Sequence, residues 1–308
     1  MDRRTFVKRA VGMSVLAGSY VAFSRHKEML VLPAEQFQPV PFDLVAVRGG
    51  NPGEMFDKGM EALGGLRQFV KKGQTVVIKP NIGWDVSAER AGNTNPQLVA
   101  HITKRCYDAG AKRVFVFDHT CDDWRGCYRN SGIEKAAREA GATVASGDSE
   151  GNYHPVAIKG GKNLKEAKVH ELILESDVFV NLPVLKNHGS ARLTVAMKNM
   201  MGVVWDRGYW HANDLHQCIA DFSTFAKPQL NVVDAYAVMK RNGPRGVSVN
   251  DVVIMKSLLI SPDMVTADAA AAKLFGMNPD DVSYIRSAAA MGAGKKDLES
   301  LRIKRITI

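Results

Sequence analysis

Side chains able to bind an anion and transfer protons concentrate in one stretch of the chain, residues 176–202. An ammonium is a compact charge whose pKa falls when it is desolvated, and an imidazole titrates near neutral pH. The stretch holds these groups beside amides, between short apolar segments: Lys186, Asn187, His188, Lys198 and Asn199. This combination predicts a site that holds a small anion and transfers protons.

The element that must position this set is the apolar run from Val178 to Leu182. A near-continuous apolar run predicts a strand covered on both faces, as in a parallel sheet. Pro183 should end that strand, so the following residues are expected in a loop. Open α/β sheets bind ligands beyond the carboxyl ends of their strands, which is where this loop should lie.

Two other predicted strands end in polar residues in the same way. Thr75 to Lys79 is followed by Asn81, and Val114 to Phe117 is followed by His119. We therefore expect one cleft, although a solvated lysine and a surface histidine are the plainer alternatives. The predicted catalytic residues are His188, His119 and Lys198. The predicted substrate-binding residues are Lys79, Asn81, Lys186, Asn187 and Asn199.

The segment from Trp205 to Asp214 is dense in aromatic and polar residues and is expected to line or cover the pocket. A helix is predicted from Asn213 onward. His211, His216 and Asp214 near its start are the candidate metal ligands, although histidines at helix ends are often structural.

Composition indicates a globular protein: the chain has 308 residues, 45% hydrophobic and 24% charged. Strand and helix patterns alternate, which predicts an α/β fold with mainly parallel sheets and a cleft at the strand carboxyl ends. The predicted domain is 41–308, with a possible division into lobes at 41–170 and 171–308. The net charge of +9 has no Lys/Arg block, which favours an anionic small molecule over nucleic acid.

Residues 1–24 have the pattern of a twin-arginine export signal, with Arg3-Arg4 before a short apolar run. This predicts the twin-arginine translocase as a partner, a periplasmic or other extracytoplasmic location, and membrane attachment only through an uncleaved signal. Residues 25–40 are predicted to be a linker. A basic cytosolic N-terminus is the alternative.

The cysteines contain no CxxC pair, so neither a zinc knuckle nor an iron–sulfur ligand set is visible. Cys121 and Cys127 are candidates for a disulfide in an oxidising compartment. Unpaired thiols are the equal alternative.

Five segments together resemble the family known as domain of unknown function 362. They are VVIKPNIGW, the helix capped by Asn95-Pro96, FDHT, NLPVLKNH and AMKNMMG, and the resemblance spans most of residues 40–300. Some members carry ferredoxin-type clusters on added cysteine motifs, which this chain lacks.

The chain is also distantly similar to the nickel-pincer lactate racemase fold, two α/β lobes around a cleft. The resemblance implies Lys198 at the pincer position, His188 and His119 as acid and base on a 2-hydroxy acid, and His211 or His216 near nickel. Two departures weigh against that cofactor. Ala196-Met197 replaces the family's Gly-Gly, and Asp214 stands where the nickel-binding histidine would be.

The leading hypothesis is an exported enzyme that acts on a small anionic substrate as an isomerase or an oxidoreductase. The sequence does not decide whether it uses a nickel ion, an iron ion or a pincer-type cofactor. Two alternatives remain: a protein that binds an anion or metal without chemistry, and a redox accessory that receives an iron–sulfur cluster from a partner.

Overall fold

A computed structural model describes residues 39–225 and 227–308. The predicted export signal and most of the predicted linker lie outside this part. Within it, ten strands form one sheet and two form a separate hairpin. The sheet strands are β1 Leu44–Arg48, β2 Thr75–Pro80, β3 Arg113–Val116, β4 Thr143–Val144, β7 Val178–Leu182, β8 Val184–His188, β9 Arg192–Thr194, β10 Leu230–Met239, β11 Val252–Ser261 and β12 Ile303–Thr307. The hairpin pairs β5 Tyr153–Ala157 with β6 Glu166–His170.

The sheet order is β12-β1-β11-β10-β7-β2-β3-β4. Strand β8 lies off this path and pairs with both β10 and β9. Neighbouring strands along this path are parallel, except that β11 runs antiparallel to both β1 and β10. The predicted mainly parallel α/β fold is therefore confirmed. The carboxyl ends of β2, β3 and β7 meet at one edge.

Helices cover both faces of the sheet. They are α1 Pro52–Ala62, α2 Pro96–Ala109, α3 Trp124–Asn130, α4 Ile133–Glu139, α5 Glu171–Glu175, α6 Ala196–Asn199, α7 Gly208–Ala212, α8 Leu215–Ser223, α9 Met264–Phe275 and α10 Ser283–Ala290. None of the helices between residues 39 and 308 that the structure describes is long and apolar enough to cross a bilayer.

Side chains of β2 alternate between two hydrophobic cores, one on each face. Val76 and Ile78 pack in the core that contains α1 and α2, and Val77 packs in the opposite core. Because strand side chains alternate with a period of two, Lys79 falls on the same side as Val77. That side also carries α6, so the strand delivers the Lys79 ammonium toward the helix that contains Lys198.

Three predicted elements have different bounds. Apolar residues at helical spacing between Glu54 and Lys72 predict one long helix, but the helix ends at Ala62, because Gly64 and Gly65 take φ of +89° and +88°, which a helix cannot contain. The apolar run over 230–233 predicts a short strand, but the strand continues to Met239. The expected loop after Pro183 is strand β8, because the chain stays extended and pairs with β10 and β9.

Strands from the two predicted lobes share one sheet. Strand β1 lies between β11 and β12, and β7 lies between β2 and β10. The boundary at residue 170 therefore divides the sequence but does not divide the sheet.

Candidate functional site

A cavity of about 470 Å³ lies at the carboxyl edge of the sheet. Strand β2 contributes Lys79, the segment after β3 contributes Asp118 and His119, strand β8 contributes Lys186 and His188, and helix α6 contributes Lys198 and Asn199. These residues are far apart in sequence. They meet because the carboxyl ends of parallel strands, and the segments that follow them, lie at the same edge of the sheet.

Lys79 and Asp118 form a buried ion pair, with 2.9 Å between Nζ and Oδ1. Both side chains are almost fully buried. The other carboxylate oxygen of Asp118 accepts a hydrogen bond from the Ile82 backbone N–H at 2.7 Å. Burial lowers the pKa of Lys79, and the Asp118 charge opposes that shift. Lys79, predicted to bind substrate, thus already has an anionic partner in this structure.

A chain of amides connects Lys79 to Lys186. The Lys79 ammonium donates to Asn199 Oδ1 at 2.7 Å, and Asn81 Nδ2 donates to the same oxygen at 3.0 Å. Lys186 Nζ in turn donates to Asn81 Oδ1 at 3.0 Å. Asn199 Nδ2 also donates to Asn181 Oδ1 at 2.8 Å, so the Asn199 amide is fully used. The two asparagines therefore hold the lysines in position.

Lys186 and Lys198 have no carboxylate partner within residues 39–225 and 227–308. Lys186 is 1% exposed and donates to neutral oxygens, those of Asn81 and the Gly92 carbonyl. Burial and nearby lysine charges lower its pKa to about 7. Burial also lowers the pKa of Lys198 to about 8. An anion entering the cavity would supply the negative partner that these two ammonium groups lack.

Two of the cavity histidines, His119 and His188, are held as opposite tautomers. His119 Nδ1 lies 2.9 Å from the Val204 carbonyl oxygen, an acceptor, so Nδ1 carries the proton and Nε2 of the neutral ring is a base. His188 Nδ1 accepts from the Ala191 backbone N–H at 3.1 Å, so its neutral ring carries the proton on Nε2. Burial lowers both pKa values, that of His188 to about 3. His119 suits proton acceptance and His188 suits hydrogen-bond donation.

Asn187 does not line the cavity with the other predicted substrate ligands. Its Oδ1 accepts from the Gly243 backbone N–H at 3.0 Å. Since β8 is a strand, side chains alternate across it, and Lys186 and His188 share a side that Asn187 does not. The prediction for Asn187 is corrected here: its contact is with the loop around Pro244.

The three predicted metal ligands do not converge. His211 lines the cavity, His216 stacks on Tyr284, and the Asp214 carboxylate caps α8 by accepting from the Gln217 N–H. Between residues 39 and 308, in the part described, no cluster of three or more His, Cys, Asp or Glu side chains is arranged to hold a metal ion. The residues present therefore do not fit a nickel or iron site.

Arg207 and Thr194 are among the cavity residues that sequence reasoning passed over. The Arg207 guanidinium donates to the carbonyl oxygens of His119 at 2.9 Å and Thr120 at 2.6 Å. Its segment was expected to line the pocket, but nothing in its spacing singled out the arginine.

The Cys121 and Cys127 thiols are free, so the proposed disulfide is absent. Cys127 is buried in the core beside α2, whereas Cys121 is exposed and lines the cavity.

A larger groove of about 1110 Å³ adjoins the cavity and shares Arg207 and Gly208 with it. Its wall mixes charges of both signs, Glu150, Glu166 and Asp206 with Lys165 and Lys168. No histidine within residues 39–225 and 227–308 lines it. The smaller cavity, which combines unpaired cations with imidazoles, is therefore the candidate site.

Comparison with known proteins gave a family model, a relative in sequence and solved structures of similar fold. The sequence model described as Domain of unknown function (DUF362) matches residues 76–273. A thylakoid-associated protein of Synechocystis sp. is 23% identical over 250 residues, which cover 76% of this chain and 73% of that protein.

Two solved structures resemble the fold at 12% sequence identity. The lactate racemase apoprotein of Thermoanaerobacterium thermosaccharolyticum has a TM-score of 0.47 and a protein from Thermotoga maritima has one of 0.48. The matches cover 75% and 74% of this chain, but only 56% and 60% of those structures.

Proposed function

The chain belongs to the DUF362 family, and we propose that it is an enzyme that binds a small carboxylate of the 2-hydroxy-acid type in this cavity and transfers a proton to and from it. The observation that carries the proposal is the imbalance of charge. Among the residues that the structure describes, four cationic side chains line the cavity, Lys79, Lys186, Lys198 and Arg207, against a single carboxylate, that of Asp118. A cavity lined in this way attracts anions and concentrates them.

The two unpaired lysines are the binding groups of the proposal. Lys186 and Lys198 would receive the substrate carboxylate, while the Lys79 charge stays neutralised by Asp118. Charge-assisted hydrogen bonds of this kind are about twice as strong as neutral ones. The same cations stabilise negative charge that develops on the carboxylate when a neighbouring C–H bond loses its proton.

The two histidines divide the proton chemistry. His119 Nε2 takes the proton from the substrate and returns it, and His188 donates its Nε2–H to a substrate oxygen. Because the pKa of His119 is lowered by burial and by Arg207, the base form is present at neutral pH. Return of the proton to the same carbon leaves an isomer, or the starting acid.

Binding and chemistry are tested separately. Calorimetry should detect 2-hydroxy acids and not the corresponding alcohols, which lack the carboxylate. Lys198→Met should weaken binding at least about tenfold, as expected when a charged hydrogen bond is lost. Lys58→Met is the matched control, because Lys58 pairs with Glu61 on the surface. Undetectable binding to the unmodified protein would overturn the proposal.

Proton transfer is tested by NMR in D2O with the same acids. The unmodified protein should exchange the C2 hydrogen for deuterium, and His119→Gln should bind the acid without exchanging it. Binding without exchange in the unmodified protein would support the non-catalytic alternative. Iron and visible absorbance in protein purified from its native host would instead support the redox accessory.

We also propose export by the twin-arginine route, on the basis of Arg3-Arg4 and the apolar run that follows. Fractionation of the native host tests it. The full chain should be found outside the cytoplasm, and replacing both arginines by lysine should retain it inside. An unchanged distribution in that variant would contradict the route.

A further inference from the structure

Cys121 is the one cysteine, among the four in the described part, whose thiol is exposed. It lies in the segment after β3, where its backbone N–H donates to the Gly83 carbonyl at 2.9 Å. Arg207 Nη1 donates toward its Sγ at 3.5 Å. The thiol is thus held in the wall of the cavity by a backbone contact and a guanidinium.

A second observation indicates that the cavity is built for a ligand. Thr194 is 3% exposed, and its Oγ1 has no hydrogen-bond partner among residues 39–225 and 227–308. It lines the same cavity as Cys121. Since a buried hydroxyl without a partner is unfavourable, an entering ligand that bonds to it gains affinity.

The charges around the thiol select the kind of molecule that reaches it. Lys186, Lys198 and Arg207 line the cavity with Cys121. An electrophile that carries a carboxylate is drawn in by these cations, while a neutral one is not. A carboxylate bound to the lysines would place the adjoining carbon inside the cavity.

We propose that Cys121 is a nucleophile of this cavity that adds reversibly to the carbonyl carbon of a 2-oxo acid; this rests on the proposed function, because it uses the same anion-binding lysines. The sulfur–carbon bond forms as the C=O π bond breaks, and that electron pair moves to the oxygen. A base takes the thiol proton, and the oxygen receives a proton from an ammonium of the cavity. The product is a hemithioketal, with no change of oxidation state.

Alkylation measures the selectivity for anions directly. The full chain is treated with iodoacetate or iodoacetamide, and each cysteine peptide is quantified by mass spectrometry. Cys121 should be labelled first, because Cys106, Cys127 and Cys218 are buried. The ratio of the iodoacetate rate to the iodoacetamide rate should exceed that of glutathione at least about tenfold at low salt, and should shrink as salt screens the cavity charges.

Arg207→Gln should lower that ratio, and Arg125→Gln is the control, since the Arg125 side chain is 69% exposed on α3. A ratio equal to that of glutathione would overturn the proposal. Labelling of the buried cysteines at the Cys121 rate would indicate unfolding, which circular dichroism on the same sample would detect.

The covalent step is tested with pyruvate labelled with ¹³C at C2. The unmodified protein should show a protein-bound signal for tetrahedral carbon, separate from that of free pyruvate hydrate, and Cys121→Ser should lack it. Protection of Cys121 from iodoacetamide without that signal would mean that the acid binds without bond formation, which overturns the proposal. Deuterium exchange of 2-hydroxy acids in Cys121→Ser would show that the proposed function holds independently.

Discussion

Gly202 lies against the ion pair of Lys79 and Asp118 so closely that no side chain fits between them. A Cβ at Gly202 would be 1.9 Å from Asp118 Oδ1 and 2.6 Å from Lys79 Nζ. The Gly202 carbonyl also accepts from the His119 backbone N–H at 3.0 Å. The glycine thus permits the backbone to pack on the buried charges and to orient the residue that follows Asp118.

Gly202→Ala should therefore separate the ion pair and destabilise the protein by about 3–5 kcal/mol, the range expected when a buried pair is broken. Urea titration measures the free energy of unfolding of the variant and of the unmodified protein. Gly208→Ala is the matched control from the same cavity, because a Cβ there would meet only Asp206 Oδ1, at 3.6 Å. Equal losses in the two variants would contradict the close approach at Gly202.

Anion binding should weaken as the pH rises. Lys186 and Lys198 have pKa values lowered to about 7 and about 8, so each loses its charge above that pH. Loss of one charged hydrogen bond is worth about 1.5–3 kcal/mol, so the Kd for a 2-hydroxy acid should rise about tenfold to a hundredfold between pH 6 and pH 9. Calorimetry over that range measures it.

The same linkage requires proton uptake on binding, because a bound carboxylate raises the lowered lysine pKa values. Near pH 7.5, calorimetry in buffers of different ionisation enthalpy should detect protons entering the complex. Lys198→Met should reduce the number taken up, and Lys58→Met should not. A pH-independent Kd with no uptake would show that the lysines are not the binding groups.

Without ligand, Lys186 and Lys198 make the free energy of unfolding depend on pH in the opposite direction to a lysine in a salt bridge. Their folded pKa values lie below the unfolded value near 10.5, so the folded state binds fewer protons between about pH 7 and that value. Their contribution to the free energy of unfolding should therefore rise with pH across this window. Lys186→Met should flatten that dependence in urea titrations at fixed pH values.

The opposite tautomers of the two histidines predict different tolerance to glutamine. A glutamine at residue 188 still offers an N–H near the position of Nε2, so His188→Gln should retain more activity than His188→Ala. At residue 119 the required group is a base, and His119→Gln and His119→Ala should both lose deuterium exchange by about 10²–10⁴-fold. Equal activities in His188→Gln and His188→Ala would contradict the role of His188 as a hydrogen-bond donor to the substrate.

Asp268 positions the helix that carries Lys198. Its buried carboxylate accepts from the backbone N–H groups of Ala196 at 2.7 Å and Met197 at 3.2 Å. Asp268→Asn leaves one acceptor for two donors and should destabilise the protein by about 1–3 kcal/mol. It should also weaken anion binding, because α6 shifts.

The control for Asp268 is Asp263→Asn. Asp263 caps α9 and accepts from the backbone N–H groups of Val265, Thr266 and Lys295, so its hydrogen bonds lie outside α6. It should lose stability and keep the affinity for the acid. A matching loss of affinity in both variants would indicate a general effect of destabilisation.

Much of the fold could be predicted from local pattern. The run over Val178–Leu182 is a buried strand, and Asn95 caps the helix that starts at Pro96, with its side chain accepting from the Gln97 N–H. Strand β12 lies at the edge of the sheet, as the alternation of apolar and basic residues in the last eight residues of the sequence indicates. These features depend on neighbours within a few residues, so the sequence displays them directly.

The amino-acid sequence by itself determined that Lys79, His119 and His188 reach the carboxyl edge of the sheet, because strand ends and their polar residues are local features. Only the tertiary structure decided their states. Lys79 is neutralised by Asp118, whereas Lys198 has no such partner in the described part. His119 and His188 are opposite tautomers, and Asn187 contacts a loop. Charge pairing, tautomer and burial depend on atoms brought together from distant parts of the chain, and no spacing in the sequence records those contacts.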